Sequence, residues 1–257
     1  MKIAIMGIGN MGSWLAKELS KENEVAVFDL EHEKCSRINN AKVLSKVEEF
    51  SAFAPELAIN AVTLQHTVKA FEELVKHISN GCVLVDVTSV KTGIPEFYKK
   101  SGFRFVSMHP MFGPTFANVE ALENESLVII KESDEQMAEF FRKFFKGLGL
   151  NLFEYTFKEH DEMMAYSLTL PFASTMVFAA CLDRKSVPGT TFKKHMKIAK
   201  GLLSEDDHLL AEILFNPNSM KQLVNVTNRL EFLKHVIKGR DFEEAKKFFD
   251  KLRESIR

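Results

Sequence analysis

A chain of 257 residues with 46% hydrophobic and 27% charged residues has the composition of a globular protein that can bury a sizeable core, which excludes a disordered or fibrous chain. At about 150 residues per domain it has room for two ordinary domains. Its formal net charge of -1, with no separate basic block, lacks the electrostatic footprint of a nucleic-acid binder.

The first half alternates short apolar runs with helical stretches, the pattern of a parallel sheet with crossover helices. In chain order the expected strands are KIAIM (2–6), EVAVFD (24–29), ELAINAV (56–62), CVLVDVT (82–88), FRFVSMH (103–109), SLVIIK (126–131) and NLFEYT (151–156). Between them lie amphipathic segments such as HTVKAFEELVKHI, where Val68, Phe71, Leu74, Val75 and Ile78 recur at helical spacing. From residue 158 the strand signal stops and long helical patterns run to the end, so the expected domains are an α/β sheet domain over 1–157 and an all-α domain over 158–257. The last helix, DFEEAKKFFDKLRESI, has acidic residues early and basic residues late, as the helix dipole favours. The apolar faces of these helices suggest a homodimer.

The cysteines Cys35, Cys82 and Cys181 are scattered and form no CxxC, which fits neither a disulfide framework nor a zinc cluster and suits a reducing, cytoplasmic setting. No HExxH or HxxEH spacing occurs, so no metal site is expected. The start, MKIAIMGIG, is too short for a signal h-region, and no apolar run is expected to reach the ~18 residues of a membrane span, so no membrane partner is expected either.

The first strand runs into GIGNMG, residues Gly7, Ile8, Gly9, Asn10, Met11 and Gly12, followed by a helical pattern, a second strand and an acid at its end, Asp29. This is the context of a dinucleotide site in a doubly wound, Rossmann-type sheet. Gly7 permits the tight turn, Gly9 lets backbone approach a pyrophosphate, Gly12 lets helix and strand pack, and the helix N-terminus offers unpaired N–H groups to phosphate. Asp29 suits the ribose hydroxyls, and a 2'-phosphate would meet its charge with no arginine in DLEHE to offset it, so NAD is expected rather than NADP. Thr63 ends a strand on the same edge and is a further candidate for contact with the cofactor.

Chemistry is expected beyond the carboxyl ends of the strands. Two consecutive ends carry suitable residues, DVTSVK (86–91) and SMHPMFGP (107–114). A dehydrogenase that oxidises an alcohol must remove a proton, and histidine, with an ordinary pKa of about 6.5, suits that task. His109, set between strand and proline-rich loop, is the expected base. Ser89 is placed to bond the same hydroxyl or to orient the imidazole.

Taken together, GxGxxG, DVTSVK, HPMFGP and EHDEMMAY, in this order over most of the chain, resemble the prephenate and arogenate dehydrogenases of tyrosine biosynthesis. The resemblance implies an N-terminal NAD domain, a helical dimerisation domain, and oxidative decarboxylation of prephenate to 4-hydroxyphenylpyruvate. It implies that His109 accepts the ring hydroxyl proton with Ser89 as its hydrogen-bonding partner, and it matches His160 and Asp161 to the family's His-Asp pair. Two positions depart from the family pattern. Phe172 stands where a histidine is usual, and Gly201 where an arginine usually grips a substrate carboxylate. Lys200, Lys197 and Lys193, on the same predicted helix, are the candidate replacements. These lost contacts leave prephenate and arogenate both open as substrates. A β-hydroxyacid dehydrogenase would need an acid–base lysine on the interdomain helix, and DEMMAYSLTLPFASTMVFAACLDRK has none before its end. A non-enzymatic NAD sensor would bind cofactor without turnover.

Overall fold

All seven expected runs form strands: β1 (Lys2–Met6), β2 (Glu24–Phe28), β4 (Leu57–Asn60), β5 (Val83–Asp86), β6 (Phe105–Pro110), β7 (Ser126–Ile130) and β8 (Asn151–Tyr155). An eighth, β3 (Lys42–Val43), is too short and exposed to leave a pattern in the sequence. The computed structural model describes residues 1–112, 122–123, 125–183 and 187–256. These residues divide into two units, Met1–Asp161 and Glu162–Arg257.

In the first unit the eight strands form one sheet in the order β3-β2-β1-β4-β5-β6-β7-β8, parallel except where β6 meets β7. β4 and β5 are buried along their whole length, which is why they read as continuous apolar runs rather than alternating ones. Alternate residues face opposite layers. Ile3, Ile5, Val25 and Val27 meet Leu15 and Leu19 of α1 (Asn10–Leu19) and Phe141 and Phe145 of α6 (Glu135–Gly147). Ala4, Met6, Ala26 and Ala58 meet Phe50 and Phe53 of α3 (Phe50–Phe53), Phe71 of α4 (Thr67–Leu74) and Phe97 of α5 (Ile94–Ser101). A short α2 (His32–Cys35) follows β2. The strand order reverses between β1 and β4, which puts a ligand crevice at the carboxyl edge of those strands.

Helix α7 (Phe157–Met164) carries the chain out of the sheet. It opens with a capping box: the Thr156 N–H donates to Glu159 Oε2 at 2.7 Å and the Glu159 N–H donates to Thr156 Oγ1 at 3.1 Å. The unit boundary falls inside α7, because its first turn, with His160, belongs to the sheet domain.

The second unit is helical. The helix of α7 continues through a π turn (Ala165–Thr169) into α8 (Leu170–Ala180) and is followed by α9 (Thr190–Leu202), α10 (Asp207–Leu214), α11 (Ser219–Gly239) and α12 (Phe242–Ser255). A buried hydroxyl pair, Thr169 and Ser219, bonds at 2.6 Å, and the hydroxyl not donating within the pair can donate to the Ile213 carbonyl, which lies within 3.3 Å of both and ties the π turn to α10 and α11. One sequence expectation is overturned here. Residues 163–180 carry no charge, and the 24-residue helical segment Phe157–Ala180 is long and apolar enough to cross a membrane by length and composition. Polar Ser167, Thr169 and Ser174 break up the run to the eye, yet Ser167 and Ser174 return their hydroxyls to the carbonyls four residues back, which leaves the helix intact.

Candidate active site

The glycine turn leaves β1 as the sequence requires. Gly7 has φ +91°, and a Cβ there would lie 2.5 Å from the Val62 nitrogen. A Cβ on Gly12 would lie against the Gly7 carbonyl oxygen, so helix α1 packs onto the turn only because both residues are glycine. A Cβ on Gly9, at the N-terminus of α1, would meet nothing within 4 Å. The space over Gly9 is therefore open on the side where a pyrophosphate would approach the helix dipole, and the turn fits a dinucleotide. Ile8 is buried, whereas Asn10 is exposed and Met11 half-buried.

Asp29 has a second task that the sequence does not announce. Its Oδ2 accepts the Ile8 N–H at 2.6 Å and its Oδ1 accepts the Glu31 N–H at 2.8 Å, so the acid that would meet a ribose also clamps the glycine turn to the end of β2. Thr63, just after β4, is exposed, and its carbonyl accepts the His66 N–H, which closes a short turn.

His109 lies within β6 opposite Val128 of β7, one residue before the strand ends at Pro110, so it is held by the sheet rather than by a loop. The stretch after it is anchored too: the Met111 N–H donates to the Ser126 carbonyl, and Phe112 packs edge-on against Trp14 of α1, with ring centroids 5.4 Å apart. Gly113 and Pro114, the rest of the motif, lie outside the described residues.

The hydrogen bond that His109 makes is to another residue than Ser89. His109 Nδ1 lies 3.1 Å from His160 Nε2, and His160 Nδ1 lies 3.3 Å from Asp161 Oδ1, which makes a relay of imidazole, imidazole and carboxylate. Ser89 is half-buried beyond β5 and makes no hydrogen bond to His109, whose Nδ1 bonds His160. His109 is 6% exposed and His160 is fully buried. Burial, then the neighbouring His160 and Lys91 charges, hold the His109 pKa well below the ordinary histidine value. Burial lowers His160 as well, with Asp161 opposing. His109 is thus neutral at physiological pH and able to accept a proton.

DVTSVK contains more than Ser89. Lys91 Nζ, fully buried, donates to Asp86 Oδ1 at 2.6 Å and to the Met108 carbonyl at 2.7 Å. Asp86 also accepts from the Thr88 hydroxyl at 2.7 Å and the Tyr98 hydroxyl at 2.9 Å. Burial penalises the Asp86 carboxylate, but Lys91 together with the Ser107 and Thr88 hydroxyls holds the pKa below the usual carboxylate value. The signal for this network was present in the sequence: an aspartate ending an apolar strand, with a lysine five residues on.

In the helical unit, Lys193, Lys197 and Lys200 line one groove of about 430 Å3 on α9 together with Pro188, Phe192 and Met196. Phe172 is half-buried on α8, and Gly201 lies near the end of α9. Among the described residues no group of three or more potential metal ligands occurs.

Known proteins match this architecture. The family model described as "Prephenate dehydrogenase, nucleotide-binding domain" matches residues 15–153. A probable arogenate/prephenate dehydrogenase of Methanocaldococcus jannaschii is 24% identical over 93% of this chain and 57% of its own length. Arogenate dehydrogenase 1, chloroplastic, of Arabidopsis thaliana is also 24% identical, over 93% of this chain and 40% of its own length, so the chain spans only about half of these two relatives. Among solved structures, prephenate dehydrogenase from A. aeolicus in complex with hydroxyphenyl propionate and NAD+ superposes with a TM-score of 0.85 at 20% identity, covering 99% of this chain and 96% of that one. Synechocystis arogenate dehydrogenase superposes with a TM-score of 0.77 at 19% identity over 99% and 98% of the two chains. Matched by the nucleotide-binding model over more than half its length, the chain belongs to the prephenate dehydrogenase family of oxidoreductases.

Proposed function

We propose that the protein is an NAD-dependent prephenate dehydrogenase that converts prephenate to 4-hydroxyphenylpyruvate with loss of carbon dioxide. The observation that carries this reading is the buried His109–His160–Asp161 relay, set at the carboxyl edge of the sheet that also bears the glycine turn. The Aquifex complex supports NAD and a hydroxyphenyl ligand for this fold.

NAD, when bound, supplies the hydride acceptor. Gly7, Gly9 and Gly12 would hold its pyrophosphate at the N-terminus of α1, and Asp29 its adenosine ribose, where the carboxylate also disfavours a 2'-phosphate. The chain's own chemistry is the transfer of one proton, taken and then returned. Neutral His109 takes the proton of the C4 hydroxyl as the C4 hydrogen leaves with its electron pair, His160, itself oriented by Asp161, holds the imidazole in place through Nδ1, and C4 becomes a carbonyl. The ring carboxylate then departs as carbon dioxide, its bonding pair enters the ring, and His109 returns the proton to the phenolic oxygen. Aromatisation makes the sequence irreversible, and the protein's main work is positioning.

Lys193, Lys197 and Lys200 of α9 are the proposed cations for the two substrate carboxylates, in place of the arginine usual at Gly201. Unlike an arginine fork, a lysine is a point charge with little directional preference. Arogenate, which differs only in an amino-acid side chain, is favoured as a second reading by the names of the Methanocaldococcus and Arabidopsis relatives. The free thiols Cys35, Cys82 and Cys181 support a cytoplasmic setting.

Parallel assays with prephenate and arogenate, each with NAD and NADP, test the proposal. Reduced nicotinamide should form fastest with prephenate and NAD, and no turnover of either substrate would overturn it. His109→Asn should lower kcat by about 10^2- to 10^4-fold while NAD affinity stays within error, because only the proton acceptor is lost.

A further inference from the structure

The mechanism above leaves one buried polar cluster unused: Asp86, Thr88, Lys91 and Tyr98. Asp86 is the last residue of β5 and lies opposite Ser107 of β6. Beyond that pair β5 stops while β6 runs on through Met108 and His109, so the backbone that carries the base has lost one neighbouring strand. The lysine fills the gap. Its Nζ joins the Asp86 carboxylate to the Met108 carbonyl, the residue directly before His109. Thr88 and Tyr98 fix the carboxylate from the loop and from α5, so the anchor does not itself swing.

We propose that Lys91, held by Asp86, is a positioning residue for His109: a strut of fixed length between the ends of β5 and β6 that sets the imidazole against the substrate. The proposal rests on His109 being the base. Both side chains of the pair are fully buried, and a buried ion pair contributes little net stability over an apolar packing of the same volume. A geometric role accounts for a charge placed there. The groups that face His109 are His160 from α7 and Lys91 from the loop after β5, while from β7 it meets the apolar Val128. Behind them stand Asp86, which acts on Lys91 and His160, and Asp161, which does the same from α7.

The test uses the full chain. Lys91→Met alone strands a buried carboxylate and is expected to fold poorly, so it is combined with Asp86→Asn. This double variant should bind NAD and prephenate as the parent does yet lose on the order of a hundredfold in kcat, the effect of about 1 Å of misplacement. A second pair, Lys91→Gln with Asp86→Asn, keeps an uncharged donor for the Met108 carbonyl and should recover part of that loss. In both, the His109 ring followed by nitrogen NMR, assigned with His109→Asn, should titrate at higher pH, since the Lys91 charge that opposes its protonation is gone. Parental kcat with an unchanged His109 titration in either folded pair would overturn the proposal, as would equal loss in both pairs. Full turnover by His109→Asn would instead overturn the base assignment, leaving the ring titration to judge the strut.

Discussion

At the scale of single residues, the three motif glycines do different jobs, and substitution separates them. Gly12→Ala puts a methyl group into the Gly7 carbonyl and should lower Tm by several degrees in a melt of the apoprotein, by the overpacking cost of about 1–3 kcal/mol. Gly9→Ala meets open space in the free protein, so Tm should hold while NAD affinity, read by calorimetry, falls. Titration of the base also follows from its surroundings. Because the His109 pKa is held below the ordinary value of 6.5, the base stays unprotonated as pH falls through 6.5, and the acid limb of kcat/KM should lie below that pH. Stability has the same sign. The unfolded chain takes up the proton first, so the contribution of the neutral buried ring is complete above pH 6.5 and is lost progressively below it; a denaturant series over pH 5 to 8 would show it. The glycines, Asp29 and His109 were legible because each sits at a spacing that backbone geometry demands. Lys91 and His160 were not read as partners of His109, since their roles depend on contacts with residues 17 and 51 positions away.

Among the elements, β6 and α7 decide the site. β6 outlasts β5 at its carboxyl end, and α7 starts at the one point that brings His160 to the ring of His109. The start is fixed by Thr156 and Glu159, with Glu132 also accepting the Phe157 N–H. Thr156→Ala should therefore cost about 1 kcal/mol of stability, the usual worth of a cap, and lower kcat, because a frayed first turn lets His160 drift. Unfolding curves together with steady-state rates would check this; a stability loss with unchanged kcat would show that the relay does not need the cap. The seven long strands were legible from apolar runs bounded by turn residues. β3 was not, because two exposed residues paired on one side leave no periodicity.

For the whole molecule, the helical unit leaves many large apolar side chains exposed. On α11, Leu223, Leu230, Leu233 and Ile237 share one face and are 40%, 47%, 37% and 64% exposed. Such a stripe on a helix that also carries Lys221, Arg229, Glu231 and Lys234 suits a protein partner better than lipid, where charges are costly. A second copy of the chain is the proposed occupant. Light scattering should give the mass of a dimer, and Leu230→Asp with Ile237→Asp should yield a monomer; a monomeric parent would dismiss the proposal.

The sequence by itself determined what depends on local geometry: a parallel sheet, a glycine turn open to a dinucleotide, an acid at the end of β2 and a histidine at the end of β6. Tertiary structure decided what depends on distant neighbours. It paired His109 with His160, turned Asp29 into a clamp on the glycine turn, and buried Lys91 between two strand ends. The physical reason is common to all three. A backbone conformation constrains the residue that adopts it and so leaves its mark at that position, whereas a side-chain hydrogen bond between remote segments exists only once folding has set its two ends within about 3 Å.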